Sequence, residues 1–180
     1  MPTGSLLRNV RAPRGPALNP DADFPELLRA QGFDFFTGVP DSTFKKLLRR
    51  LESAPEFGYV PAVSENVAVG LAVGAWLGGR QPVAFMQNSG LALAINALAS
   101  LAAIYRIPML LVVGWRGHDG KDSPEHKLTG AATLPLLDAL RLPYLVPQRA
   151  TVESDLRTAA QTMQAERTPF ALVCRPGVVE

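Results

Sequence analysis

The chain reads as an α/β protein with a parallel six-stranded sheet and helices on both faces. Three observations predict this class. From Asp23 to the C-terminus, segments with helical spacing alternate with short strand-like runs. The links between them are short and rich in Gly, Pro and polar residues. The segment Pro108–Val113 carries the unbroken apolar run Met109-Leu110-Leu111-Val112-Val113, which suits a central parallel strand covered on both sides.

The elements follow in order. Phe24, Leu27, Leu28 and Gln31 share one helical face, and Gly32 can end that helix. Phe33–Thr37 is a short aromatic strand closed by Gly38-Val39-Pro40. Asp41 or Ser42 can cap the next helix, whose apolar face is Phe44, Leu47, Leu48 and Leu51. Tyr59–Val63 is a second strand. Ser64 then caps a helix rich in Ala, Gly and Val that ends at Gly78-Gly79, with side chains small enough to lie close to a sheet. Pro82–Met86 is the third strand, and Asn88-Ser89-Gly90 leads into an apolar helix to about Tyr105. After the fourth strand, Gly114–Ser123 is a polar loop. Short helices are expected at Pro124–Gly130 and Leu134–Leu140, then a strand at Tyr144–Val146, a helix at Val152–Glu166 and a sixth strand at Phe170–Cys174.

Composition narrows the functional classes. The 180 residues suit one domain, and 47% hydrophobic against 19% charged residues favours a packed core over disorder. Residues 1–22, with Pro2, Pro13, Pro16 and Pro20, read as a flexible tail, and 23–180 as the folded domain. A net charge of +2, with Arg8, Arg11 and Arg14 in the tail, gives no case for nucleic acid. The single cysteine, Cys174, excludes an intrachain disulfide framework. No membrane span or secretory signal is recognisable, so a cytoplasmic location is expected.

In an open parallel sheet, ligands gather at the carboxyl ends of the strands. Gly38–Ser42, Ser64-Glu65-Asn66, Gln87–Gly90 and Trp115–His126 each follow an expected strand and should converge on one rim. The sequence holds no GxxxxGK[ST] loop, no GxGxxG after the first strand and no GxSxG elbow. Glu65 is either a first-turn acid complementing the helix dipole or a carboxylate that holds a proton at the rim. Asp41-Ser42 is either a turn and cap or part of that rim. Asn88-Ser89 either starts a helix or presents one to an anion. The loop with Arg116, Lys121, His118 and His126 is either solvated or cationic machinery for an anionic substrate.

Taken together, Phe36-Thr37-Gly38-Val39-Pro40-Asp41-Ser42, Ser64-Glu65-Asn66, Met86-Gln87-Asn88-Ser89-Gly90-Leu91 and Gly114-Trp115-Arg116-Gly117 resemble the pyrimidine-binding domain of thiamine-diphosphate-dependent phosphonopyruvate and sulfopyruvate decarboxylases. The resemblance runs from about Asp23 to the C-terminus. Lys121-Asp122-Ser123-Pro124-Glu125-His126 resembles the phosphonopyruvate branch more closely. Ala92-Leu93 departs from the family's Gly-Asn, and Ala97 from its frequent Pro.

The resemblance implies roles. Glu65 would bond N1′ of the cofactor aminopyrimidine, with Asn88 and Ser89 also on the cofactor. Asp41 and His126 would serve proton steps, and Ser42, Arg116 and Lys121 would bind substrate. The Gly-Asp-Gly motif that binds Mg2+ and diphosphate in the family's second domain is not found, and His118-Asp119-Gly120 is no substitute. The expectation is therefore the α subunit of a split 2-oxo acid decarboxylase, active with a β subunit, thiamine diphosphate and Mg2+. Phosphonopyruvate is the expected substrate, giving phosphonoacetaldehyde and CO2. The alternatives are a sulfopyruvate decarboxylase α subunit, giving sulfoacetaldehyde, and a non-catalytic paralogue.

Overall fold

Asp23 caps α1 (Phe24–Ala30) by accepting the Glu26 amide at its N-terminus. The structure is a computed structural model that describes residues 23–179; the expected tail, residues 1–22, lies outside the described residues. After α1 the chain alternates: β1 (Phe35–Gly38), a 3-10 turn at Ser42–Phe44, α2 (Lys45–Ser53), β2 (Val60–Pro61), α3 (Glu65–Leu77), β3 (Pro82–Gln87) and α4 (Asn88–Ala97). Then follow β4 (Leu110–Gly114), α5 (Pro124–Ala139), β5 (Tyr144–Leu145), α6 (Val152–Glu166) and β6 (Phe170–Cys174). The six strands form one sheet in the order β2-β1-β3-β4-β6-β5, every pair parallel.

Strand alternation sorts the core into two layers. Phe36, Val83, Phe85, Leu110, Val112 and Leu172 face α1, α2 and α6. Ala84, Met86, Leu111, Val113, Ala171 and Val173 face α3, α4 and α5. The apolar run read from the sequence is the buried strand β4, central in the sheet. The small side chains Ala68, Val69, Ala72 and Val73 of α3 are buried, as a helix lying close to the sheet requires. Among the described residues, no helix is long and apolar enough to cross a membrane.

Three local readings need correction. The two short helices expected at Pro124–Gly130 and Leu134–Leu140 are one helix, α5, with Pro135 in its interior. Gly130 is there for space rather than termination: a Cβ on it would overlap the backbone of Gly117. Continuing the helix carries Leu137 into the core, which offsets the ladder bond lost at Pro135. The helix expected up to Tyr105 changes after Ala97 to π geometry at Leu98–Ala103. There Ser100 Oγ donates to the Asn96 carbonyl at 2.6 Å and competes with the α-helical amide for it. Ser64 stands at the N-terminus of α3 but makes no side-chain cap bond; its hydroxyl donates to Asn66 Oδ1 at 2.6 Å instead.

Candidate active site

The sheet order creates a crevice. The chain moves outward from β1 to β2, then returns across β1 to β3, so the connections from β1 and β3 diverge at their carboxyl ends. Such a reversal leaves room for a ligand.

Side chains from both sides meet there. Asp41, half-buried after β1, caps the 3-10 turn by accepting the Thr43 amide at 2.8 Å. Its other oxygen accepts a hydrogen bond from Gln87 Nε2 at the end of β3. Gln87 Oε1 in turn accepts from Ser89 Oγ at 2.8 Å. Asp41, Gln87 and Ser89 therefore form a polar chain across the reversal. Ser42, beside Asp41, is exposed.

Glu65 enters from the loop after β2, as the first residue of α3. Its side chain lies against Gly90, where a Cβ would overlap the carboxylate. The residue is only 9% exposed, and no hydrogen bond joins its carboxylate to another described side chain. Its oxygens are not among the fully buried side-chain atoms left without a partner, so the carboxylate stays free to accept a hydrogen bond from a ligand.

Asn88 has a different place. It is 1% exposed, and its amide is wholly engaged. Nδ2 donates to the Arg116 carbonyl at 3.0 Å and to Thr133 Oγ1 at 2.9 Å, while Oδ1 accepts the Arg116 amide at 3.1 Å. Thr133 completes the network by donating to the Thr129 carbonyl at 2.8 Å. Asn88 thus joins the start of α4 to the loop after β4 and to α5.

The loop itself is anchored. Trp115 donates its indole N–H to the Gly130 carbonyl at 2.8 Å, and its backbone amide bonds the Cys174 carbonyl. Arg116 pairs with Asp122 through Nε at 2.6 Å and Nη2 at 2.7 Å. That guanidinium beside Asp122 holds the carboxyl well below the usual carboxylate range, helped by the Ser123 and Gly117 amides. Lys121 is exposed, and His126 is half-buried in the first turn of α5. Among the described residues, no group of three or more His, Cys, Asp or Glu is placed to hold a metal ion.

Asp41, on the loop after β1, and Glu65 and Ser89, in the first turns of α3 and α4, therefore lie at the carboxyl edge of adjacent strands, with Asn88 tying in Arg116. Lys121 and His126 belong to the same loop and the helix after it. Sequence reasoning placed Gln87, Gly90 and Asp122 within its motifs without giving them a role, and did not single out Thr133. Thr133 carries no local signal, because its role depends on a residue 45 positions away.

An open parallel sheet with polar groups gathered at its reversal is an α/β domain of the kind that leaves a ligand crevice at the carboxyl edge. Residues 21–136 match the family described as thiamine pyrophosphate enzyme, N-terminal TPP binding domain. The chain is 37% identical over 118 residues to sulfopyruvate decarboxylase subunit alpha of Methanococcus maripaludis, covering 65% of this chain and 70% of that one. It is 36% identical over 161 residues to phosphonopyruvate decarboxylase of Streptomyces viridochromogenes, covering 88% of this chain and 41% of that enzyme. Its fold superposes on the thiamine diphosphate-dependent 4-hydroxybenzoylformate decarboxylase of Rhodococcus jostii RHA1 with a TM-score of 0.68, at 21% identity, over 84% of this chain and 29% of that one. The chain belongs to the thiamine-diphosphate-dependent phosphonopyruvate and sulfopyruvate decarboxylase family, within its pyrimidine-binding part.

Proposed function

We propose that this chain is the α subunit of a split 2-oxo acid decarboxylase that converts phosphonopyruvate to phosphonoacetaldehyde and CO2. The observation that carries the reading is Glu65, a buried carboxylate with no side-chain partner, lying against Gly90. This arrangement fits an aminopyrimidine, which can offer a ring nitrogen that shares a proton with a carboxylate. When bound, thiamine diphosphate accepts the electron pair released as carbon dioxide leaves a 2-oxo acid.

This chain's own residues do the rest. Glu65 holds and shares the proton at N1′. Asn88 and Ser89 shape the cofactor-binding wall, Asn88 through its buried network and Ser89 through Gln87. Asp41, already polarised by Gln87, and His126, in the first turn of α5, serve the proton steps at substrate and product. Ser42, Arg116 and Lys121 receive the substrate, the two cations meeting its anionic end.

The partner is a β subunit carrying the diphosphate-binding domain and the Mg2+ site. Two observations support it. The chain covers 70% of a relative named as an alpha subunit. Apolar side chains on and beside α3 and α4 are exposed, among them Val63 and Leu93. The phosphonopyruvate branch is supported by the Asp122-Ser123-Pro124-Glu125-His126 segment and by the identity over 88% of this chain. A cytoplasmic location goes with this reading.

Reconstitution with such a β subunit tests the proposal. Turnover should require both thiamine diphosphate and Mg2+, and kcat/KM should be highest for phosphonopyruvate. Higher kcat/KM for sulfopyruvate would reassign the substrate. A complex that binds cofactor yet decarboxylates no 2-oxo acid would make the chain a non-catalytic paralogue.

A further inference from the structure

The loop after β4 is built around one carboxylate. Asp122 Oδ2 accepts from Arg116 Nε at 2.6 Å and from the Gly117 amide at 3.0 Å. Its Oδ1 accepts from Arg116 Nη2 at 2.7 Å and from the Ser123 amide at 2.8 Å. Four N–H donors thus converge on a group with about four acceptor sites, so its capacity is filled. The pair is sheltered, with side-chain exposures of 26% for Arg116 and 20% for Asp122.

The backbone beneath is equally determined. Arg116 is held at its amide and its carbonyl by Asn88. Gly117 is left-handed, at φ +69°, and faces the His126 carbonyl so closely that a Cβ would overlap it. Both ends of the Arg116 side chain are therefore tied down: the backbone by α4, and the Nε–Nη2 edge by Asp122. Nη1 has no protein partner among the described residues. Beyond Asp122, the guanidinium also lies in the field of Asp41, the carboxylate at the end of β1, and of Glu125.

We propose that Asp122 is a positioning residue that grips the Nε–Nη2 edge of Arg116 and aims its Nη1 side at the anionic end of the substrate. The proposal rests on the decarboxylase reading and names how its substrate class is told apart. A guanidinium is a rigid plane, so fixing one edge fixes the direction of the N–H groups on the other. A phosphonate oxygen is met by a donor already aimed, and little side-chain entropy is lost on binding. Lys121, exposed on the same loop, adds charge without direction.

The test uses the complex with its β subunit and the variants Asp122→Asn, Arg116→Lys and the pair together. Two substrates are compared, phosphonopyruvate and pyruvate, which lacks the second anion. Binding of phosphonoacetate, a dianion that no decarboxylation consumes, is read separately by calorimetry. Asp122→Asn should raise KM for phosphonopyruvate and Kd for phosphonoacetate tenfold or more, while kcat/KM for pyruvate changes less than twofold. The double variant should be no weaker than Arg116→Lys alone, because Asp122 acts through Arg116. A fall in KM for Asp122→Asn would mean that the carboxylate competes with the substrate, and would overturn the proposal. Equal losses for both substrates would reduce Asp122 to a structural tie and overturn it as well. If the complex proves inactive on every 2-oxo acid, the decarboxylase reading falls, while the phosphonoacetate Kd ratio still judges the positioning role.

Discussion

Glu65→Gln separates two physical accounts of one carboxylate. The substitution keeps the shape and the contact with Gly90 while removing the charge. As a first-turn acid, Glu65 contributes at most about 1 kcal/mol through the helix dipole. Gln keeps the length of the side chain and its hydrogen-bonding atoms, so little beyond the dipole contribution is at stake. The isolated chain should therefore keep its stability within about 1 kcal/mol, a shift of roughly 2–4 °C in Tm for a domain of this size. The effect on the bound cofactor is larger. A neutral amide cannot take part in proton sharing, and losing such a group typically slows proton transfer by about 100-fold or more. The assay is hydrogen–deuterium exchange at C2 of thiamine diphosphate bound to the reconstituted complex, alongside thermal unfolding of the chain alone. Slow exchange with an intact fold is the expected result. Exchange at the wild-type rate in a variant that assembles and binds cofactor would refute the reasoning, and a stability loss with normal exchange would leave only the dipole account.

Gly117→Ala should destabilise the domain by about 2–5 kcal/mol in urea, combining roughly 1–2 kcal/mol for a left-handed residue with about 1–3 kcal/mol of overpacking against the His126 carbonyl; a change under about 0.5 kcal/mol would refute the close approach. Tyr59 donates its hydroxyl to the Gly38 carbonyl at 3.2 Å, and burial, aided by the charge of Glu52, pushes its pKa up to about 12. Its folded value lies above the unfolded one near 10, so the stability it contributes is fully present below about pH 10 and is lost as pH rises through 12. Tyr59→Phe should remove that part of the alkaline dependence, and absorbance titration of the phenolate should show ionisation delayed beyond pH 10.

The class of fold was legible because it is written locally. Val152–Glu166 and Phe170–Cys174 match their expected bounds, since helical and strand periods record which side of each segment meets the core. The rim was legible too. In a parallel sheet every loop after a strand emerges on one edge, so Asp41, Glu65, Ser89 and Arg116 could be gathered there from the strand order of the sequence alone.

What tertiary structure decided is which of these groups are already committed. Pro135 and Gly130 look like helix breakers, and only the close approach of Gly130 to Gly117 together with the burial of Leu137 explains why α5 runs through both. Asn88 reads as a helix start facing a ligand, yet its amide is consumed by Arg116 and by Thr133, 28 and 45 residues away. Glu65, which reads as an ordinary first-turn acid, becomes a buried carboxylate with no side-chain partner only when Gly90 is brought beneath it. Periodicity reports burial along one segment, whereas hydrogen-bond saturation depends on atoms brought together through space. The sequence by itself therefore determined the sheet, its layers and the edge where its polar motifs gather. Only folding decided which side chains on that edge hold the scaffold and which remain open to a ligand.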